Sequence, residues 1–147
     1  MKKTITILIC IFLVIIISIY TYYQSKQNEV ASVNKFNYQY EQYFDKEIYG
    51  TEVATLINKA IDNNVKYDIA KSENDKYIED EKYCLKIIIK FKDVNTMYEM
   101  ESIDKAGIEG FIMNFSKSIF KITDYKYNKE TNRIGKLVIE EIKIGNI

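Results

Sequence analysis

This 147-residue chain contains no histidine, and its carboxylates and Cys84 are the candidates for catalysis. That absence removes Ser-His-Asp and Cys-His arrangements, HExxH zinc sites and imidazole acid–base chemistry. Neither GxxxxGK[ST] nor GxGxxG occurs, so no phosphate-cradling loop is indicated. Of the two cysteines, Cys10 lies in a hydrophobic segment and Cys84 in the apolar stretch YCLKIIIKF. Cys84 would be a nucleophile only with a lowered pKa, and a small buried hydrophobe is its expected role. No bridge between the two is expected, because a disulfide needs Cα atoms within about 7 Å.

The carboxylates concentrate in one stretch, Glu73, Asp75, Glu79, Asp80 and Glu81. Such oxygens suit Ca²⁺, but the D-x-[DN]-x-[DN]-G spacing is missing and Lys76 and Lys82 interrupt the charge. The stretch reads as a solvated loop. Glu140 and Glu141 are adjacent, so on a strand they point to opposite faces and make a poor acid–base pair. Tyr38, Tyr40, Tyr43 and Tyr49 could stack on sugar or peptide, with core packing as the competing and preferred reading. Lys117, Lys121, Lys126, Lys129, Arg133 and Lys136 make the C-terminal region basic, for contact with anionic lipid or polymer, or simply as solvated strand faces. No residue is assigned a catalytic, cofactor-binding or metal-binding role, and no cofactor is expected.

These side chains must be held by few elements. Thr4 to Tyr20 carries no charge, and extending it to Tyr23 gives about 20 residues, roughly 30 Å of helix, which matches a bilayer core. Tyr20, Tyr22 and Tyr23 resemble an interfacial aromatic collar. Lys2 and Lys3 flank the other end, which puts the N-terminus in the cytoplasm and the rest of the chain outside. A cleaved signal peptide is the competing reading, with Val30-Ala31-Ser32 the nearest small-residue site. Lipidation at Cys10 is disfavoured by the bulky Ile9 before it. The lipid bilayer is thus one expected partner.

The chain holds 21 basic and 21 acidic residues. Two of the basic ones, Lys2 and Lys3, precede the segment and every acidic residue follows it, so the remainder is about −2. Nucleic-acid binders show a basic excess that this region lacks, so no nucleic-acid partner is expected. After the anchor (1–23) and residues 24–33, which read as a linker or a helical continuation, 34–147 is long enough for one domain.

Asn34 offers an N-cap to a helix whose face carries Phe36, Tyr40, Tyr43 and Phe44 and which ends near Glu47. TEVATLINKAIDNN is the clearest helix, with Thr51 as cap, a stripe of Val53, Leu56, Ile57, Ala60 and Ile61, and Asn63-Asn64 closing it. Strands are expected at Val65–Ile69, Tyr83–Phe91, around Met97–Ile103, Phe120–Tyr127 and Lys136–Ile144. Asp93, Val94 and Asn95 form a turn, and Asp104 caps a short helix with Ile108, Phe111, Ile112 and Phe115 inward. The expectation is an α+β fold: a transmembrane helix, two helices, an antiparallel sheet of about five strands and one further helix.

The stretch FNYQYEQYFDKEIYGTEVATLINKAIDNN resembles uncharacterised small single-pass membrane proteins of low-GC Gram-positive bacteria. In these, a hydrophobic N-terminus precedes F-N-x-x-F-x-x-Y-x-G and a helix that opens G-x-x-V-x-x-L-I and closes on N-N. Phe36, Asn37, Tyr43, Gly50, Val53, Leu56, Ile57, Ile61, Asn63 and Asn64 carry the resemblance. Tyr40 stands in place of Phe, and Asp45 stands near the first Gly. The resemblance implies a membrane-anchored protein and supplies no activity. Type IV pilins also join a hydrophobic helix to a sheet domain, which offers a pilin-like assembly alternative. The Gly and early Glu of the pilin leader are absent, since Lys2-Lys3-Thr4 runs straight into the apolar segment.

Three functional readings follow: a non-catalytic tethered accessory or interaction domain with a protein partner at the outer membrane surface; a ligand-binding or sensing domain with a pocket between sheet and helices; and an enzyme using carboxylates or Cys84. A concave pocket with converging polar groups favours the second. Exposure of Cys84, or two close carboxylates in a cleft, favours the third.

Overall fold

The computed structural model describes residues 2–79, 82–92 and 96–143, so the turn expected at Asp93, Val94 and Asn95, and Asp80, Glu81 and Ile144, lie outside the described residues. The chain divides into two units, Met1–Phe36 and Asn37–Ile147. Helix α1 (Lys2–Glu41) makes up the first and contributes its last turn to the second. Residues 24–33 are helical, and Asn34 lies inside α1 instead of capping a new helix. No Gly or Pro interrupts the chain between Tyr23 and Glu41, so nothing breaks the helix there.

Residues 3–32 of α1 are all exposed, including the whole uncharged run from Thr4 to Tyr23. One helix, near the N-terminus, is long and apolar enough to cross a membrane among the described residues. Two of its hydroxyls are satisfied by its own backbone. Ser18 Oγ donates to the Val14 carbonyl at 2.8 Å and Thr21 Oγ1 to the Ser18 carbonyl at 3.0 Å. In hydrocarbon, which offers no water, such self-satisfaction is what polar side chains require.

The second unit is α+β. A five-stranded sheet has the order β1-β4-β5-β2-β3, built from β1 (Glu47–Tyr49), β2 (Lys86–Lys90), β3 (Met97–Glu99), β4 (Ile119–Tyr127) and β5 (Ile134–Lys143). Helices α2 (Gly50–Lys66), α3 (Met100–Ala106) and α4 (Ile108–Phe115) complete it. The pairings β1–β4, β4–β5 and β2–β3 are antiparallel, as expected. The pairing of β2 with β5 is parallel, so the sheet is mixed. Ile87, Ile88 and Ile89 stand opposite Leu137, Val138 and Ile139. Unbroken apolar triplets suit strands shielded on both faces, and that is where a parallel pair is stable.

Several elements differ from their sequence signals. The strand expected at Met97–Ile103 lasts three residues and then becomes α3, because Met100 and Ile103 bury together at helical spacing. Asp104 sits inside α3, and the helix boundary falls at Gly107, whose φ of 96° only glycine adopts easily. The strand expected at Val65–Ile69 is the end of α2 and its turn. Thr51 is not the cap of α2. Gly50 opens the helix directly after β1, and the Glu52 carboxylate accepts the Tyr49 backbone N–H at 2.8 Å. Gly50 is required there, since a Cβ would lie 1.9 Å from the Phe115 carbonyl oxygen.

The Val53, Leu56, Ile57 and Ala60 stripe is fully buried, as are Leu85, Ile87, Ile89, Phe120, Leu137 and Ile139, and α2 contacts β2 and β4. Asn63 and Asn64 do not close α2. They remain helical, and Asp68 supplies the left-handed residue at φ 51°. Their carboxamides instead reach the strand that follows. Asn64 donates to the Leu85 carbonyl and accepts the Leu85 N–H, both at 2.9 Å. Asn37 does the same at the β4–β5 turn, donating to the Asn132 carbonyl and accepting the Ile134 N–H at 2.9 Å. Each amide substitutes for a missing strand neighbour, because buried backbone groups must be paired.

Candidate functional site

Two arrangements stand out in the second unit: a buried arginine cluster and an apolar groove. Arg133, the only arginine in the chain, is 6% exposed. Its Nη2 donates to Asn63 Oδ1 at 2.8 Å and its Nη1 to the Tyr67 hydroxyl at 3.0 Å. Tyr67 and Tyr83 stack at 4.6 Å, and the guanidinium carbon lies 4.8 and 5.2 Å from their ring centroids. The Arg133 hydrogen bond holds the Tyr67 hydroxyl below its ordinary pKa. A planar cation among ring faces and a carboxamide packs as a structural key joining α2 to the β4–β5 turn. Its chemistry is cohesion.

The groove lies where α3 and α4 meet β3 and the ends of β2 and β5. It has a volume of about 610 Å³ and is bordered by Phe91, Tyr98, Ile103, Gly110, Phe111 and Glu141 among others. That volume falls in the range of small-molecule sites. The aromatic wall is continuous: Phe91–Phe115 at 4.5 Å, Phe111–Phe115 at 5.2 Å and Phe91–Tyr98 at 5.4 Å. Gly107 and Gly110 lie on its border, where a Cβ at either would meet nothing within 4 Å.

One ionisable group borders this apolar wall. Glu141 is 7% exposed and stands opposite Phe120 on the helix-covered face of the sheet. Its Oε2 accepts the Lys92 backbone N–H at 3.3 Å. Its Oε1 is buried and has no hydrogen-bond partner among the described residues. The Lys92 ammonium is turned elsewhere, onto the Ile142 carbonyl at 3.2 Å. A buried carboxyl oxygen without a donor is costly, so its place beside a groove is a functional signal.

The other residues singled out by type fall differently. Cys84 is 2% exposed, with the Asn64 amide nitrogen 3.9 Å from its Sγ. No disulfide joins it to Cys10, which is exposed on α1. Glu140 faces away from Glu141 and pairs with the Lys90 ammonium at 2.6 Å; that bond holds it below the usual carboxylate range.

Several contacts tie the described part of the acidic loop and its neighbours to the fold. Lys76 pairs with Glu99 at 2.9 Å, the Tyr77 N–H donates to Glu101 at 3.0 Å, and Glu79 pairs with Lys136 at 2.6 Å. No group of three or more metal-capable side chains occurs among the described residues. Tyr40 is core, whereas Tyr38 and Tyr49 are exposed, so the tyrosines form no common face. The basic set loses Arg133 to the interior and Lys136 to its ion pair.

Sequence reasoning placed Phe111 and Phe115 in a helix and Glu141 on a strand, without bringing them together. The available signal was small-residue spacing, Ala106-Gly107 and Gly110, beside large aromatics. No family model, curated protein or solved structure matches this chain.

Proposed function

We propose that this chain is a non-catalytic, single-pass membrane-tethered domain, with the N-terminus cytoplasmic and the folded unit outside, whose working surface is the groove beside α3 and α4. The observation that carries the tether is the uncharged run from Thr4 to Tyr23, exposed along its whole length. Lys2 and Lys3 before it and the tyrosines after it support the orientation. The resemblance to small anchored proteins of low-GC Gram-positive bacteria agrees with this reading.

The groove favours ligand binding over a purely architectural role, since an apolar concavity bordered by one unsatisfied polar group is the usual form of a small-molecule site. Burial of Cys84 and the ion pairing of Glu140 support the non-catalytic reading. A protein partner at the outer membrane surface would meet the same domain.

Two experiments test this. Thiol labelling of Cys84 in intact cells, after mild unfolding, is expected to succeed without lysis. Labelling only after lysis overturns the orientation. Crosslinking in the native membrane is expected to recover a specific neighbour. Recovery of lipid and abundant bystanders alone removes the protein partner.

A further inference from the structure

We propose that the groove selects a small organic ammonium ion carrying an apolar group, with Glu141 as its counter-charge; this rests on reading the groove as the working surface. The apolar part is set by the wall. Phe91, Tyr98, Ile103, Phe111 and Phe115 border a space of about 610 Å³, which accommodates an aromatic or short aliphatic body.

The charge is set by Glu141. Its Oε1 lacks a hydrogen-bond partner among the described residues, the side chain is more than nine-tenths buried, and the nearby Lys92 ammonium is spent on a backbone carbonyl. A neutral apolar ligand would leave that oxygen unpaired, and an anion would be repelled by it. A bare metal ion would need several oxygens, and no group of three or more metal-capable residues exists among the described residues. An ammonium in the groove offsets the carboxylate charge across the apolar wall and gains from the aromatic ring faces as well.

The test uses the full chain in neutral maltoside micelles, with isotope-labelled isoleucine methyl groups. Ile103 borders the groove and reports occupancy. Phenethylammonium, 2-phenylethanol and phenylacetate are titrated, with empty micelles as reference. Phenethylammonium is expected to shift the Ile103 methyl saturably and to bind about tenfold or more tighter than the alcohol, with phenylacetate weakest.

Glu141→Gln is expected to erase that preference while the alcohol still binds. Gly110→Leu, which places a side chain in open space, is expected to weaken all three. Equal binding of ammonium and alcohol, or a preference that survives Glu141→Gln, overturns the ammonium assignment and leaves the groove standing. If no compound shifts Ile103, the groove reading itself fails. The comparison on the unsubstituted chain decides the matter even where a variant does not fold.

Discussion

Single side chains carry much of this fold through backbone mimicry. Asn64 pairs with both polar groups of Leu85, in a fully buried setting. Asn64→Ala would orphan a buried N–H and a buried carbonyl, so a loss of about 2–4 kcal/mol is expected in urea unfolding. Asn64→Asp keeps the acceptor but sets a carboxylate against the Leu85 carbonyl, and should not rescue it. A second residue-scale prediction concerns pH. Burial pushes the Glu99 carboxyl up, but hydrogen bonds from Lys76 and Lys86 outweigh this and hold it below its ordinary 4.5. A depressed folded-state pKa contributes stability that is complete above the unfolded value and is lost as pH falls through the folded value. The urea midpoint should therefore fall between about pH 5 and pH 3, and Glu99→Gln should flatten that part of the fall. An unchanged profile in the variant removes Glu99 from the acid response.

At the scale of elements, the turns show what propensity can and cannot tell. Among the described residues, four that are not glycine take positive φ: Asp45, Asp68, Asp75 and Asn132. All are Asp or Asn, the side chains that tolerate this region best. Asp45 takes φ 58°, a conformation that glycine adopts without strain. Asp45→Gly should leave stability nearly unchanged, whereas Asp45→Val should cost about 1–2 kcal/mol by thermal unfolding. Equal stabilities for the two would show that the turn relaxes.

The α2 stripe and the closing hairpin were legible because their periods, 3.6 and 2, are long and clean. The α3 region was not, because seven residues with only Met100, Ile103 and Ala106 apolar are too short a window to fix either period. Burial of Met100 and Ile103 against α2 and β2 decided between them. The groove was illegible for the same kind of reason. Phe91, Phe111 and Glu141 are far apart in sequence, and only the crossover through α3 and α4 brings them to one wall.

For the whole molecule, the N-terminal run is the strongest single determinant of where the protein works. Replacing both Phe12 and Ile15 with lysine adds ~3 kcal/mol each to the cost of insertion. The double variant should move into the carbonate-soluble fraction, while the unsubstituted chain stays in the membrane pellet. Retention of both in the pellet would show that contacts other than the helix hold the protein there. The apolar run and its flanking lysines were determined by composition alone, since insertion depends on the summed hydrophobicity of contiguous residues. So was the α+β class, because helix and strand periods are local properties.

The parallel β2–β5 pair, the burial of Arg133 beside two tyrosines, and the placing of one buried, unpaired carboxyl oxygen next to an apolar groove were decided only by tertiary structure. Each depends on which distant strands become neighbours, and long-range pairing is set by the joint burial of segments that no local pattern links.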